Sequence, residues 1–342
     1  MSKNKIAIIG ASYLQVPLIN KAKEMGLETH VFAWQVGDEG EKIADYFYPI
    51  SIVEKEQILN KCKDIGISGI CSIASDLATL TVNYVAQNLG LISNNLDCTL
   101  VSTNKHLMRE RFKERGDPSP LSVVVDESTN INELKLAYPV LIKPTDRSGS
   151  RGIFKLDNNR DLETAVNYAI GCSFEKKALI EEFVDGDEYS VEFISWEGEH
   201  KYITTTKKFT TGAPHFIETG HLEPAPLDIN TIDKIKNIVS HALTSLGVEY
   251  GASHSEVKIN TNEIKIIEIG ARMGGDFIGS DLVQLSTGYD FVKNVINVSL
   301  GIEPEIPTGK SINKAIVEFE LDKNTTDSSN RTGYHIKVEE LE

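Results

Sequence analysis

The chain has few cysteines and no long apolar run, and each absence excludes a class of protein. Its cysteines show neither CxxC pairing nor the spacing of a zinc site, and they are Cys62, Cys71, Cys98 and Cys172. Reduced thiols in a cytoplasm are the simplest interpretation. No apolar stretch approaches membrane-spanning length, and the first predicted strand, Lys5 to Ile9, is not preceded by an apolar signal region. We therefore expect a cytoplasmic protein with no membrane partner.

Positive charge is also scarce. Acidic residues outnumber basic ones by 50 to 35, which gives a formal net charge of −15 over 342 residues. Such a surface repels a phosphate backbone over most of its area, so nucleic acid is not an expected partner. A local positive site for a small anion is compatible with this balance.

Two common nucleotide signatures are missing as well. The loop Gly10-Ala-Ser-Tyr-Leu-Gln15 follows the first strand but is not GxGxxG, and Trp34 stands where an acidic residue would end the second strand. These departures argue against a dehydrogenase. The Walker sequence GxxxxGK[ST] is also absent.

The order of predicted elements indicates an α/β region followed by an α+β region. Strands alternate with helices over roughly the first hundred residues, which predicts a parallel, doubly wound sheet. A predicted helix from Asn104 to Arg115 ends at Gly116, and Asp117-Pro-Ser-Pro120 is a break. Short strands follow, and strands dominate from Glu199 onwards. We expect three units, over residues 1–100, 101–188 and 189–342.

Two glutamates lie in one predicted hairpin. Glu256 and Glu268 stand in β-rich runs on either side of Asn260-Thr-Asn262, whose composition favours a turn. A three-residue loop, Thr261 to Glu263, places them directly opposite each other, whereas a two-residue loop sends them to opposite faces. Directly opposed like charges destabilise a sheet, so the first register requires a cation, and carboxylate oxygens suit Mg²⁺. Two solvated glutamates on an outer face are the alternative.

A second pattern favours phosphate binding. A predicted strand ends at Lys143, and the following loop contains Ser148, Gly149, Ser150 and Gly152. Backbone N–H groups in such a loop can surround phosphate oxygens while the lysine supplies positive charge. An ordinary Gly/Ser hairpin is the alternative. Lys105, in the first turn of its helix, opposes the helix dipole, a small cost that an anionic ligand could offset. From the residues alone, a solvated lysine is the favoured interpretation.

Taken together, these segments resemble the ATP-grasp superfamily, in particular its carboxylate–amine ligases. The resemblance covers nearly the whole chain, and the motifs occur in the superfamily's order. It implies a pre-ATP-grasp α/β domain (1–100) followed by a two-subdomain ATP-grasp fold. The small lid subdomain would span residues 101–188, and residues 189–342 would carry the metal and substrate sites.

The resemblance also implies roles for individual residues. Lys105, Lys143 and the glycine loop would contact the phosphates of ATP, Glu256 and Glu268 would hold magnesium, and Arg272 would face the transferred phosphoryl group. The adenine hinge and the ribose acceptor would be Glu181, Glu182, Phe183, Val184 and Glu188, a segment that by itself reads only as a hairpin. One or two Mg²⁺ ions are implied, with Mn²⁺ as a substitute. Many members have Asn two residues after the second metal glutamate, and Gly270 stands there, which leaves the metal count open.

The polar segment Lys207 to Pro224 resembles the substrate-facing loop of ligases that join amino acids. Glu218 and His221 are its candidates for recognising an amino group, and Arg272 with the Gly274 and Gly275 backbone is the candidate for the carboxylate. Ordinary loop histidines are the alternative.

The implied reaction activates a small carboxylate as an acylphosphate with ATP and joins it to an amine, releasing ADP and phosphate. Catalysis would rest on positioning and charge neutralisation. A purine-pathway or biotin-carboxylase-like enzyme of the same superfamily is one alternative, and a non-catalytic nucleotide-binding module is another. Members of the superfamily commonly form dimers, so the resemblance implies a homodimer. The short region after Gly301 leaves open a further C-terminal piece.

Overall fold

The computed structural model describes residues 4–147, 152–213, 216–322 and 331–341. The first elements are strands β1 (Lys5–Ile9), β2 (Glu28–Phe32), β3 (Tyr46–Tyr48) and β4 (Gly69–Cys71), with helices α1 (Val16–Glu24), α2 (Glu39–Ile43), α3 (Lys55–Ile65) and α4 (Asp76–Leu89). The strands form a parallel sheet in the order β3-β2-β1-β4.

Helices cover both faces of this sheet, so both faces are buried. Successive side chains of a strand point to opposite faces, and they therefore pack in two different clusters. Ile6 and Ile8 pack in a cluster with α1, whereas Ala7 and Ile9 pack with α3 and α4. The predicted doubly wound parallel sheet is confirmed.

The next part is a small antiparallel sheet preceded by two helices. Its elements are α5 (Leu96–Thr103), α6 (Lys105–Arg115), β5 (Ser122–Asp126), β6 (Val140–Pro144), β7 (Phe154–Leu156), α7 (Leu162–Cys172) and β8 (Lys177–Glu182). The sheet order is β5-β8-β6-β7, and α7 packs on it. The Asn104 side chain accepts hydrogen bonds from two N–H groups of the first turn of α6, which fixes Lys105 at the start of that helix.

A larger antiparallel sheet forms most of the rest, in the order β13-β12-β9-β10-β11-β14-β15. Its elements are β9 (Asp187–Trp196), β10 (Glu199–Thr210), β11 (Glu218–Glu223), α8 (Ile229–Leu246), β12 (Gly251–Ile259), β13 (Ile264–Gly270), a π-helical turn (Ile278–Leu282), α9 (Val283–Thr287), α10 (Phe291–Ser299), β14 (Asn313–Glu320) and β15 (Gly333–Glu340). Helix α8 covers one face of this sheet. Helix α10 packs beside α1 against the N-terminal sheet, so this late helix shares a core with the first elements of the chain.

The β12–β13 hairpin places Glu256 directly opposite Glu268, so the predicted opposition is confirmed. The opposition does not come from a three-residue loop, which was one of the two loop lengths considered. Ile259 pairs with Ile264, so residues 260–263 form the loop, and a bulge beside Glu256 shifts the register by one residue. The bulge compensates for the extra loop residue and restores the opposition.

Among the residues that the structure describes, no helix is both long and apolar enough to span a membrane.

Candidate functional site

A cavity of about 740 Å³ is lined by residues from the N-terminal α/β region, the small antiparallel sheet and the large antiparallel sheet. It brings together most of the predicted site residues, namely Lys105, Lys143, Glu181, Glu182, Phe183, Val184, Glu188, Glu218, Glu256, Glu268, Arg272 and Gly275. Residues far apart in the sequence therefore meet in one place.

The remaining predicted site residues are not among the lining residues described for this cavity. Ser148, Gly149 and Ser150 fall outside the described residues. Gly152 adopts φ +73° and lies against Pro144 and Cys172. Gly274 packs over His254, whose Nδ1 atom would lie 2.6 Å from an added Cβ, so this position requires glycine.

On the nucleotide side, a buried ion triad holds Lys143. The Lys143 ammonium lies 2.7 Å from Glu181 Oε2, and Arg109 Nε donates to Glu181 Oε1 at 2.7 Å. Burial lowers the pKa of Lys143, and the Glu181 carboxylate only partly offsets this. The Glu181 side chain is engaged here, and its backbone lies between β5 and β6, opposite Ser122 and Leu141, so an adenine edge would pair with residues that follow it.

The backbone of the predicted hinge is partly engaged as well. The N–H of Glu182 donates to the Leu121 carbonyl at 2.9 Å, and the N–H of Phe183 donates to the Pro139 carbonyl at 3.1 Å. Within the described part of the chain, the N–H of Val184 has no such partner. Val184 is therefore the donor of this segment that remains for a base.

The two opposed glutamates each contact a lysine. Lys105 Nζ donates to Glu268 Oε1 at 2.7 Å and to the Arg147 carbonyl at 2.8 Å, and Lys208 Nζ donates to Glu256 Oε1 at 2.5 Å. Lys105 is only 6% exposed, which excludes the solvated alternative. Both carboxylates use Oε1 for these bonds, so Oε2 of each remains for another ligand. Two carboxylates side by side form the hard oxygen donor set that suits Mg²⁺.

Lys208 is the buried centre of an acidic cluster, and the sequence analysis missed it. Its ammonium lies 3.1 Å from Glu188, 2.8 Å from Glu218 and 2.5 Å from Glu256. Burial opposes its protonation, but the three carboxylates raise its pKa well above the ordinary value. The alternation of side chains along a strand could have predicted its direction. The Lys207 side chain points outward and pairs with Asp187, so the side chain of the next residue points to the other face of the sheet.

The N-terminal domain reaches the site through Asp76, at the start of α4. Arg272 Nε donates to Asp76 Oδ1 at 2.7 Å, and Arg272 Nη2 donates to Asp76 Oδ2 at 3.0 Å. Burial raises the pKa of Asp76, but the guanidinium outweighs this effect and holds the pKa below its usual value. This bidentate pair fixes the orientation of the Arg272 guanidinium.

A third group of charges surrounds Glu218. Arg331 Nη2 donates to Glu218 Oε2 at 2.9 Å, Arg331 Nη1 lies 3.0 Å from Asp276 Oδ2, and the guanidinium stacks 3.7 Å from the centre of the Phe319 ring. Burial and the neighbouring Glu218 carboxylate raise the pKa of Asp276 to about 7. The sequence analysis identified neither Asp276 nor Arg331.

His221 lies behind this group, fully buried. Burial lowers the pKa of His221 to about 3, so the imidazole is neutral at pH 7. No hydrogen-bond partner for either ring nitrogen occurs among the described residues. Ligand atoms of Glu218, His221 and Asp276 lie within 4.8 Å of one another, a spacing that suits a metal ion. Arg331 and the lysine at the centre of the acidic cluster already neutralise the two carboxylates, which disfavours a further cation there.

A buried histidine supports one of the opposed glutamates. His254 Nδ1 lies 2.6 Å from Glu192 Oε1, and His254 Nε2 lies 3.7 Å from Glu256 Oε1. Burial opposes protonation, but the Glu192 carboxylate raises the pKa of His254 to about 9. The resulting imidazolium links the buried Glu192 carboxylate to the Glu256 carboxylate on the cavity wall. This link restrains the position of Glu256.

Comparison with known proteins agrees with this geometry. Residues 136–281 match the ATP-grasp domain family. The protein contains an ATP-grasp domain. The resemblance to the ATP-grasp superfamily, and with it the expected fold, is confirmed.

Similar proteins with this domain include ligases. Alanine–anticapsin ligase of Bacillus subtilis is 25% identical over 312 residues, which cover 80% of this chain and 65% of that protein. The L-amino acid ligase of Bacillus licheniformis has a structure that matches with a TM-score of 0.84 at 20% identity, over 100% of this chain and 94% of that one. The phosphoribosylglycinamide synthetase of Anaerococcus prevotii matches with a TM-score of 0.81 at 20% identity, over 99% of this chain and 95% of that one. The chain spans 50% to 65% of the length of the first curated relatives it matches.

Proposed function

We propose that this ATP-grasp protein is a ligase that uses ATP to activate a small-molecule carboxylate as an acylphosphate and then joins it to an amine. One observation carries the proposal. A single cavity gathers two buried lysines, two directly opposed glutamates and an oriented arginine, which are Lys105, Lys143, Glu256, Glu268 and Arg272. Transfer of a phosphoryl group needs positioning and charge neutralisation, and this set supplies both.

ATP would bind with its base at the hinge and its phosphates toward Lys143 and Lys105. Glu256 and Glu268 would hold Mg²⁺, as one ion or two, with Mn²⁺ as an alternative. The bound ion neutralises charge on the phosphates and orients them. The two lysines contact carboxylates now, and both retain donor capacity because an ammonium has three N–H groups.

In the first step a substrate carboxylate oxygen would attack the γ-phosphorus, and the bond to the β,γ-bridging oxygen would break to release ADP. In the second step the amine nitrogen would attack the acyl carbon and lose a proton. Phosphate would leave with the former carboxylate oxygen. Arg272, held by Asp76, would neutralise charge on the transferred group.

Glu218 is the proposed recognition group for a substrate ammonium. Burial favours its protonated form, but the Lys208 ammonium holds the pKa of Glu218 well below its usual value, so the carboxylate is ionised at pH 7. Its two oxygens already contact cations, Oε1 the Lys208 ammonium and Oε2 the Arg331 guanidinium, so a substrate ammonium would have to displace one of them or share its oxygen. We assign His221 a packing role next to Glu218 because it is fully buried.

A purine-pathway or carboxylating enzyme is the second candidate, supported by a shared fold with phosphoribosylglycinamide synthetase, N5-carboxyaminoimidazole ribonucleotide synthetase and biotin carboxylase. A module that binds nucleotide without turnover is the third. Opposed metal-type carboxylates and an oriented arginine favour turnover over simple binding.

The test is phosphate release from ATP and Mg²⁺ with amino acids and small carboxylic acids, supplied singly and in pairs. Release that requires two substrates, with a condensed product by mass spectrometry, is the expected result. At an ATP concentration below the wild-type KM, Lys143→Met should strongly reduce the signal, which controls for a contaminating ATPase. Release that requires bicarbonate in place of an organic acid would contradict the proposal.

A further inference from the structure

A second, smaller cleft of about 270 Å³ adjoins the main cavity at the carboxyl ends of β1, β2 and β4. The two spaces share Leu14 and Ala74 as lining residues. The carboxyl edge of an open parallel sheet is where α/β proteins commonly bind ligands. The two spaces therefore adjoin along Leu14 and Ala74.

The lining of this cleft is apolar. Trp34 and Val36 are 69% and 71% exposed, and Ala11, Leu14 and Ile52 also face the space. Small-molecule sites are commonly concave and lined mainly by apolar and aromatic side chains. Trp34 supplies a wide flat surface of this kind.

Charge excludes some ligands. The cleft is lined by neither lysine nor arginine among the described residues, and its charged group is Asp38. A phosphate group there would lack a counter-charge, which disfavours a phosphorylated ribose compound. The polar floor is already engaged, since Gln15 donates to the Ile73 carbonyl at 2.8 Å and accepts from the Ser12 hydroxyl at 2.7 Å.

The residues in the wall between cleft and cavity are close in sequence to a residue of the proposed reaction centre. Ala74 adopts φ +58°, a costly conformation for a residue with a side chain, and its N–H donates to the Met273 carbonyl at 3.2 Å. A Cβ on Gly275 would lie 3.2 Å from the Ala74 Cβ. Asp76, two residues further on, holds Arg272. A ligand that crosses this wall lies beside the groups that would carry out the transfer.

We propose that one of the two substrates carries an apolar or aromatic side group, which extends past Leu14 and Ala74 into this cleft and packs on Trp34. The inference rests on the proposed ligase function, and it names the chemical class of one substrate. Burial of such a group against an apolar wall discriminates it from a smaller analogue by about 10- to 200-fold.

Binding can be measured without turnover. The chain has two tryptophans, so a Trp196→Phe variant reports Trp34 fluorescence alone. The variant is titrated with L-phenylalanine, L-leucine, 3-phenylpropionate, phenethylamine and glycine, in the presence of Mg²⁺ and ADP. A saturable blue shift with at least one apolar ligand, but not with glycine, is expected because the exposed indole becomes covered. No saturable shift with any of them overturns the inference.

Turnover gives an independent readout. In the ligase assay, Trp34→Ala should lower the kcat/KM ratio of the bulky substrate to its small analogue by at least about tenfold. Ile229→Ala is the matched control, since Ile229 is 63% exposed on α8, outside both spaces. An unchanged ratio in Trp34→Ala overturns the inference and leaves the ligase proposal standing. A fluorescence response without ligation by any substrate pair overturns the ligase proposal instead.

Discussion

Replacement of Asp76 by asparagine tests whether the N-terminal domain takes part in catalysis. Asp76 accepts two hydrogen bonds from Arg272, at 2.7 and 3.0 Å, and the two side chains are only 19% and 16% exposed. Asparagine keeps one acceptor oxygen but removes the charge and the bidentate geometry. We therefore expect Arg272 to lose its fixed orientation while the fold is retained.

The size of the effect follows from this geometry. A hydrogen bond to a charged group contributes about 1.5–3 kcal/mol when it is shielded from water. If this energy positions Arg272 for the transition state, kcat/KM should fall by about 10- to 150-fold. The pair is mostly buried, so screening by solvent reduces the effect only modestly.

Steady-state ligation kinetics for Asp76→Asn and the wild type measure this effect directly. Asp97→Asn is the matched control, because Asp97 pairs with Arg111 at 3.0 Å but is 68% exposed and lies away from the cavity. An exposed pair of this kind contributes about 0–1 kcal/mol, so its loss should change the kinetics by less than about fivefold. Equal kcat/KM values for the Asp76 variant and the wild type would refute the positioning role.

Three further predictions concern the site and the core. Glu268→Gln should lower kcat by about 100-fold or more and raise the Mg²⁺ concentration needed for half-maximal rate. Ligation rates measured against MgCl₂ concentration test this, and an Mg²⁺ dependence equal to that of the wild type contradicts the metal assignment. Lys143→Met should raise the KM for ATP at least about tenfold, and unchanged nucleotide affinity by calorimetry argues against phosphate contact. Burial raises the pKa of Glu223 from 4.5 to about 8, so the native state keeps a proton that the unfolded chain releases. The free energy of unfolding of the wild type should therefore fall between pH 4.5 and 8, by up to about 1.4 kcal/mol per pH unit. Glu223→Gln should lack this slope when both proteins are unfolded with urea across this pH range. Parallel pH profiles for the two proteins would contradict the prediction.

Local patterns predicted local structure well. The helix Lys105–Arg115 begins after the Asn104 cap and ends at Gly116 in the left-handed conformation, as its sequence indicates. The opposition of Glu256 and Glu268 was expected from a three-residue loop, but the loop in the structure gives the other parity and a bulge restores the opposition. The bulge was not predictable, because one extra residue in a strand leaves no clear mark on an alternating pattern.

Contacts between distant segments were beyond sequence reasoning. Asp76 and Arg272 are 196 residues apart, and nothing near Asp76 distinguishes it from other acids at helix starts. The Glu218–Arg331–Asp276 group joins segments that meet only when the sheet has formed. Burial of Lys208 among three carboxylates likewise depends on the order of strands, although its inward direction follows from strand alternation.

The central claim is that a substrate carboxylate takes the γ-phosphoryl group of ATP. The most direct test uses a substrate acid with both carboxylate oxygens labelled with ¹⁸O, and mass spectrometry of the phosphate released during ligation. An acylphosphate intermediate transfers one labelled oxygen to each phosphate. Ligation accompanied by unlabelled phosphate would contradict the account, because the phosphate oxygen would then come from water.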